Sequence, residues 1–302
     1  MKQQTRSKQL LAIAAVIVAA IFWGCLGLFS RRLTDAGLDA MDKALVRMTV
    51  GLTGMGVYLL ALHRDKFRVR LRDLWCFFGS GVVSLLFFMW CYFQCMQLTS
   101  LAVAGILLYT APIFVMLLSA LFFKEKLTKR KLIALCLAFG GCILVSGTGG
   151  GQSLTTRALV FGLGSGLGYG LYSIFSRFAV DRGYDSTTIT FYTFVFCVLF
   201  CLPLADIPRI VSAAAADHSL ILWYVLMGLL TGLASYQLYT WALQYLEASR
   251  ASIIASLEPV VAAAAGVIVY QETLSLPGLL GICLVLCAIV LLSLKTKKVN
   301  NP

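Results

Sequence analysis

The feature that most constrains this chain is a series of ten long apolar segments, each separated from the next by a few polar residues. The segments cover 10–30, 41–62, 73–97, 100–123, 131–147, 157–177, 188–205, 220–246, 250–270 and 276–294. Most approach the ~20 residues that an α-helix needs to cross a hydrocarbon core of ~30 Å. Because lipid offers no partner for exposed backbone groups, such segments must be helical. The sequence therefore predicts an all-α integral membrane protein of about ten transmembrane helices.

Composition excludes the soluble classes. Sixty per cent of the 302 residues are hydrophobic and 13% are charged, whereas soluble domains carry about 25% charged residues. The net charge of +12 would suit a nucleic-acid partner, but the basic residues stand in short clusters between apolar segments. Membrane proteins distribute their charge in this way. The expected partner is the lipid bilayer, and no nucleic acid is expected.

The distribution of lysine and arginine predicts an orientation. Nineteen of these residues fall on the side of the N-terminus, with clusters at 64–72 and 124–131. Four fall on the other side, namely Arg31, Arg32, Arg157 and Arg209. The positive-inside rule then places both termini in the cytoplasm. Short loops and the absence of a glycosylation sequon favour the plasma (inner) membrane of a bacterium.

An internal repeat divides the chain. Phe29-Ser30-Arg31 matches Phe175-Ser176-Arg177, Ala111-Pro112-Ile113 matches Glu258-Pro259-Val260, and Lys124-Glu125-Lys126-Leu127 matches Gln271-Glu272-Thr273-Leu274. The offset stays at 146 to 147 residues. Five apolar segments in each half would invert the second half relative to the first, an arrangement typical of secondary transporters. We therefore expect one five-helix repeat in 1–150 and a second, inverted one in 151–302.

Three motifs resemble a known family. The Tyr-x-x-Pro of Tyr109–Pro112, the Leu-Glu-Pro-Val of Leu257–Val260 and the Glu-x-Leu near the end of each half are similar to those of the EamA-type drug/metabolite transporter superfamily. The resemblance covers almost the whole chain. It implies a ten-helix bundle with a central cavity that works by alternating access, often to export amino acids or related metabolites.

Two charged residues lie within the apolar segments. Arg47 is near the outer end of the second segment, where it either reaches the headgroups or lines the cavity and receives an anionic group. Glu258 is deep in the ninth segment, directly before Pro259, which should interrupt the helix. A carboxylate there either supports the freed backbone groups as a protonated acid, or couples transport to protons or binds a substrate amine.

Polar and aromatic residues at repeat-equivalent positions are the other candidates for substrate binding. Trp90, Gln94 and Gln97 share one helical face of the third segment, and their equivalents in the eighth are Gln237, Trp241 and Gln244. Trp23 pairs with Tyr169, beside Tyr172. The remaining candidates are Tyr109, Ser256 and the second helix-breaking proline, Pro112. We expect these faces to line the cavity.

Several reaction classes lack a sequence signature. The chain has no Walker loop, and its ten cysteines form no Cys-x-x-Cys pair with a nearby histidine, so neither a cofactor nor a metal is expected. The favoured function is a secondary active transporter, an exporter of a small metabolite such as an amino acid or an amphipathic compound, with protons as a candidate coupling ion. A membrane-embedded enzyme and a passive facilitator or channel are the alternatives.

Overall fold

The computed structural model describes residues 2–146, 155–271 and 275–293, and within these ranges the chain is helical with short connections. Nine of the described helices are long and apolar enough to cross a membrane. The tenth expected one, Lys129–Ser146, is present but carries Lys129, Arg130 and Lys131 in its first turn, so its apolar part begins only at Leu132. The expectation of an all-helical, multi-span membrane protein is confirmed.

The first half of the chain supplies eight α-helices and one π-helical segment. They are α1 (Lys2–Gly24), α2 (Leu26–Asp35), α3 (Ala40–Leu62), α4 (Leu74–Phe78), the π-helix Gly79–Leu86, α5 (Phe87–Leu98), α6 (Leu101–Leu108), α7 (Ala111–Phe123) and α8 (Lys129–Ser146). Short 3₁₀ turns at Arg64–Phe67 and Leu71–Asp73 connect α3 to α4. Together α4, the π-helix and α5 form one continuous span.

The second half follows the same order of spans and adds a short helix, Ile207–Ala216, between the seventh and the eighth. It consists of α9 (Thr156–Asp181), α10 (Ser186–Cys201), a 3₁₀ turn at Leu202–Leu204, α11 (Ile207–Ala216), α12 (Ser219–Met227), the π-helix Gly228–Ala234, α13 (Ser235–Ala242), α14 (Ala248–Ala255), α15 (Glu258–Tyr270) and α16 (Leu276–Ser293). The boundary predicted at 150/151 and the repeat residues Glu272, Thr273 and Leu274 lie outside the described residues. The division into two inverted repeats stays a prediction.

Two spans are interrupted in their middle. The fourth breaks between α6 and α7, just before Pro112, and the ninth breaks between α14 and α15, just before Pro259. A proline has no N–H to donate, so it is tolerated in the first turn of a helix and not inside one. Each broken span ends in a residue with left-handed backbone, Lys124 in the first half and Gln271 in the second.

Helices of the two halves pack against each other. α1 lies against α13, α14 and α15, while α9 lies against α5, α6 and α7. The most extensive pairing joins α8 to α16, where a Cβ added at Gly281 would stand only 2.6 Å from the carbonyl oxygen of Gly141. Only a glycine permits that approach, as is usual where membrane helices meet closely.

Contacts between loops define two ends of the bundle. At one end the segments 62–73, 123–131, 177–185 and 246–250 meet, and we call it the basic end. At the other, the opposite end, the segments 31–42 and 206–217 meet. The functional residues described next lie between these two ends.

Candidate functional site

A small cavity lies in the interior where helices of both halves meet. It is lined by Trp23 of α1, four tyrosines, two serines and an alanine; these are Tyr169, Tyr172, Tyr236, Tyr239, Ser173, Ser252 and Ala255. The Trp23 ring stands 5.1 Å from the ring of Tyr236 and 6.1 Å from that of Tyr169, both edge-on. The space is on the order of one water molecule in size. A metabolite therefore fits only after these helices move apart.

Glu258 lies beside this cavity in the first turn of α15. The hydroxyl of Tyr169 donates a hydrogen bond of 2.9 Å to its Oε2 atom. The break before Pro259 makes this turn a helix N-terminus, whose partial positive charge favours a carboxylate. α1 packs closely here, because a Cβ added at Gly24 would stand 2.7 Å from the carbonyl oxygen of Glu258. The local fold thus holds one carboxylate in the middle of the bundle.

Arg47 of α3 is the cationic counterpart. Only 5% of its surface is exposed, so it does not reach out to the headgroups but lies inside the bundle. Its guanidinium contacts the sulfur of Met89 at 3.6 Å, and its Nε atom has no hydrogen-bond partner. Within the described part of the chain, neither Arg47 nor Glu258 takes part in an ion pair. A buried guanidinium with unused donors is suited to binding an anionic group.

The two charges are connected through the aromatic residues. Glu258 accepts from Tyr169, whose ring contacts Trp23, and Trp23 in turn contacts Tyr236. Arg47 lies against Gly232, one turn before Tyr236, since a Cβ added at Gly232 would stand 3.5 Å from the Cγ atom of Arg47. The arrangement therefore presents a cation, an apolar aromatic surface and an anion in sequence across the interior.

Hydroxyl groups fix the rings of the cavity. The Tyr172 hydroxyl pairs with that of Thr240 at 2.6 Å, and the Ser173 hydroxyl pairs with that of Tyr239 at 2.8 Å. The sequence analysis did not include Tyr236, Tyr239, Ser173 or Ser252 among the candidates. Tyr236 and Tyr239 stand three residues apart on α13, a spacing that places both on one face and would have indicated them.

The structure does not bring the two predicted Trp/Gln faces together. Trp90 is 41% exposed and packs on Phe161, and Gln97 is exposed, with Gln94 half-buried on the same side. The opposite side of α5 faces inward instead, because Phe88 packs on Tyr169. The face that carries Trp90, Gln94 and Gln97 is thus directed away from the cavity.

Their repeat equivalents have separate partners. The amide nitrogen of Gln237 donates to the hydroxyls of Ser186 and Thr187, both at 3.1 Å, which joins α13 to the start of α10. Trp241 packs on Tyr245, with ring centroids 5.0 Å apart. Gln244 is half-buried. None of the three lines the cavity.

The remaining candidates lie around the two helix breaks. Tyr109 directly follows α6 and precedes Thr110 and the α7 turn that contains Pro112. Ser256 is buried between α14 and α15, and its carbonyl oxygen accepts from the Cys142 thiol at 3.8 Å. The break before Pro259 therefore adjoins the carboxylate. Across the residues that the structure describes, no group of three His, Cys, Asp or Glu side chains is arranged to hold a metal ion.

An ionic cluster around the buried Lys131–Glu125 pair lies at the basic end. Lys131 of α8 lies 3.2 Å from Glu125 and 2.7 Å from Glu247. Glu125 also accepts hydrogen bonds from the backbone N–H of Ala248 and from the hydroxyl of Ser249, so it caps α14. We call Glu125, Lys131, Glu247 and Ser249 the basic-end clasp. It joins the segment that follows α7 to the start of α14. The sequence does not predict this contact of Glu125 and Lys131.

The opposite end is held by a more exposed cluster. Arg209 pairs with Asp39 at 2.9 Å, with Asp206 at 3.0 Å and with Asp42 at 3.2 Å. Hydrogen bonds from the backbone N–H and the guanidinium of Arg209 hold the pKa of Asp206 below its usual value of 3.8. These four residues, the opposite-end cluster, join the start of α3 to α11.

Comparisons with known proteins find similarity over almost the whole chain. The profile of the EamA-like transporter family matches residues 10–147 and again residues 156–294. A relative from Archaeoglobus fulgidus, named an uncharacterized transporter, is 27% identical over 287 residues, which cover 92% of this chain and 94% of that protein. The uncharacterized transporter YxxF of Bacillus subtilis is 28% identical over 83% of this chain and 79% of its own length. A solved crystal structure shares the fold with a TM-score of 0.71 at 17% identity, over 93% of this chain and 95% of that one.

Proposed function

The chain belongs to the EamA-like transporter family, and from that premise we propose that it is a secondary active exporter of a small zwitterionic metabolite with an apolar side group, such as an amino acid. Membership in the family and the names of the relatives make it a membrane transporter. The proposal adds the substrate class, the direction and the mechanism. It is supported most by the placement of Arg47 and Glu258 around one aromatic cavity.

The substrate class follows from the chemistry of the cavity. The guanidinium of Arg47 matches a carboxylate, which it binds through two parallel hydrogen bonds. Glu258 matches an ammonium group, and the rings of Trp23 and Tyr236 offer an apolar surface that also attracts cations. A molecule with only one of these groups would leave a buried charge without a partner. Such a site discriminates strongly against analogues that lack a charged group.

The size of the cavity supports alternating access. Because its space holds about one water molecule, substrate enters only when the helices separate at one end. We propose that opening at the basic end requires the basic-end clasp to separate, and that opening at the other requires the opposite-end cluster to separate. In this proposal the repeats 1–150 and 151–302 move relative to each other, in the plasma membrane with both termini in the cytoplasm.

Glu258 is the proposed coupling residue. Its position at a helix break, with Tyr169 as its one hydrogen-bond donor among the described residues, lets a proton and a substrate amine compete for the same carboxylate. Glu258→Gln mimics the protonated acid at nearly the same size. We expect this variant to lose flux driven by a pH gradient and to retain exchange of substrate. Loss of exchange together with loss of folded protein would assign the residue a structural role.

The substrate class is tested by counterflow into proteoliposomes. Three probes are compared: an apolar amino acid, its methyl ester, which lacks the carboxylate, and its N-acetyl derivative, which lacks the ammonium group. The wild type should transport the first at least about 100-fold better than either analogue, the scale for a site with buried polar groups left unpaired. Arg47→Gln should lose the discrimination against the ester and keep that against the N-acetyl derivative.

The controls separate the alternatives. Arg32→Gln removes an exposed arginine that pairs with Asp217 away from the cavity, and it should leave discrimination unchanged. Conversion of a probe into product without flux would identify an enzyme. Flux that neither saturates nor shows counterflow would identify a passive channel. Equal discrimination by the wild type and by Arg47→Gln would remove Arg47 from the substrate site.

A further inference from the structure

A second pocket lies on the surface at the basic end, remote from the substrate cavity. It is lined by Arg68, Val69 and Arg70 of the α3–α4 connection and by Arg182, Gly183 and Tyr184 of the α9–α10 turn. The neighbouring spans end here, since one begins at Leu71 and another ends at Asp181. The pocket therefore stands at the level where the hydrocarbon core gives way to the headgroups of the lipids.

Three guanidinium groups surround the pocket, and only one of them is already engaged. Arg182 is fixed by Asp73 at 3.3 Å, by the carbonyl oxygen of Phe178 at 2.9 Å and by the ring of Trp75 at 4.8 Å. The side chains of Arg68 and Arg70 are exposed and have neither an ion pair nor a hydrogen bond within the described parts of the chain. The buried carboxylate of Asp73 pairs with Arg182. Among the described residues, the guanidinium groups of Arg68 and Arg70 therefore have no acidic partner.

The backbone that carries these arginines is fixed in place. The Tyr184 hydroxyl accepts from the backbone N–H of Arg70 at 3.1 Å and donates to Asp73 at 2.8 Å. Further along the segment, Tyr192 donates to the carbonyl oxygen of Phe67 at 2.7 Å, and Thr188 donates to that of Lys66 at 2.8 Å. A pocket formed in advance loses little conformational entropy when it binds a ligand.

The chemistry of the pocket is that of a phosphate site. Arginine presents a planar fork of N–H donors that binds two phosphate oxygens at once, and basic pockets between membrane helices bind anionic headgroups. Apolar side chains continue from the pocket towards the hydrocarbon core: Leu71 is 83% exposed, and Trp75 and Phe78 are exposed on the next turns. A free phosphate would contact only the arginines, whereas a lipid would also cover this apolar surface.

We infer that the pocket between Arg68, Arg70 and Arg182 binds the headgroup of an anionic phospholipid, whose acyl chains lie along Leu71, Trp75 and Phe78. The bound lipid bridges the α3–α4 connection of the first half and the α9–α10 turn of the second half. Its binding site is separate from the substrate cavity, so it exists whether or not the proposed substrate class is correct.

Lipid binding to the purified full-length protein tests this inference. Native mass spectrometry in detergent measures the apparent Kd for phosphatidylglycerol and for phosphatidylcholine, with inorganic phosphate as a competitor. The wild type should prefer phosphatidylglycerol. The double variant Arg68→Gln/Arg70→Gln should raise the Kd for phosphatidylglycerol about tenfold, the scale of lost charge-assisted hydrogen bonds, while its Tm without lipid stays unchanged because both side chains lack partners.

The matched control is Arg64→Gln/Arg72→Gln, which removes two exposed arginines from the same connection but outside the pocket. It should leave the Kd near the wild-type value. Equal weakening by both double variants would mean that general charge attracts the lipid, and this would overturn the inference. Equal binding of the two lipids would also overturn it. Complete displacement of phosphatidylglycerol by inorganic phosphate would identify a phosphate site instead of a lipid site.

Discussion

The ionic clusters at the two ends of the bundle differ in how far their central ion pair is exposed to solvent. At the basic end, the side chains of Lys131 and Glu125 are 8% and 7% exposed. At the opposite end, the side chains of Arg209 and Asp39 are 40% and 39% exposed. Removing one partner from a buried pair leaves an uncompensated charge in a poorly solvated site, whereas exposed pairs are screened by water and contribute little. The basic end should therefore be the harder one to open.

The largest effect is expected from Lys131→Met. The variant keeps the length of the side chain but leaves Glu125 buried without its cation, so the free energy of unfolding should fall by about 3–5 kcal/mol. Denaturant titration in detergent measures this loss. Adding Glu125→Gln, whose amide oxygen still accepts from the backbone N–H of Ala248 and whose amide nitrogen can donate to the hydroxyl of Ser249, should restore much of it. Lys129→Met, an exposed lysine of the same turn, is the control and should change little. A small effect of Lys131→Met would contradict the difference between the ends.

A much smaller effect is expected from Arg209→Gln. Arg209 is 40% exposed, unlike Lys131, so water takes the place of its guanidinium beside Asp42, which also keeps the hydrogen bonds from the backbone N–H groups of Asp39 and Asp206. The fall in Tm should be well below that of Lys131→Met. Labelling of a single cysteine at Ala36, in a background without other cysteines, should become faster from the side of the membrane that the opposite end faces. Equal falls in Tm for Arg209→Gln and Lys131→Met would contradict the difference in stability between the two ends.

High salt should weaken the contribution of the opposite-end cluster to Tm more than that of the basic-end clasp. At 1 M ionic strength the Debye length is ~3 Å, so interactions between exposed charges are largely screened while buried ones persist. The difference in Tm between wild type and Arg209→Gln should shrink in high salt, and that between wild type and Lys131→Met should remain. If both differences shrink alike, the basic-end clasp is solvated.

The smallest effect is a pH dependence confined to the opposite end. The pKa of Asp206 is lower in the folded protein than its usual 3.8, first because the backbone N–H of Arg209 donates to it and then because the guanidinium of Arg209 does. A lowered pKa stabilises the fold fully above the unfolded value, and this contribution is lost as the pH falls through the folded value. Hydrogen exchange at 206–210, corrected for intrinsic rates, should therefore accelerate below about pH 4, without the same change at 248–251.

The sequence predicted the elements that depend on local physics. Apolar length specified the spans, and the prolines at 112 and 259 indicated where two of them break. Arg47 and Glu258 stood out because charge is rare in apolar segments; in the structure Arg47 is buried and Glu258 accepts a hydrogen bond from the cavity residue Tyr169.

The repeat could not predict which side of each helix is directed towards the interior of the bundle. Matching positions in two halves have the same place along a helix, but neighbouring helices decide which side faces inward. On α5 the side with Phe88 packs on Tyr169, so Trp90 is left on the outside. Contacts between segments far apart in the sequence could not be predicted either, because they also depend on how the helices pack. Glu125 served only to indicate the repeat and the family motif, and Lys131 to predict orientation, because nothing near them in the sequence indicates Glu247 or Ser249.

The π-helices at Gly79–Leu86 and Gly228–Ala234 have a consequence for how the third and eighth spans can turn. A π-helix closes each ring over one more residue than an α-helix, and an α-helix rotates by about 100° per residue. Conversion of one π-turn into an α-turn would therefore rotate the part of the helix beyond it by about 100° around the helix axis. On α13 that rotation would carry Tyr236 and Tyr239 away from Trp23 together. In the eighth span the π-helix thus directly precedes two residues that line the cavity.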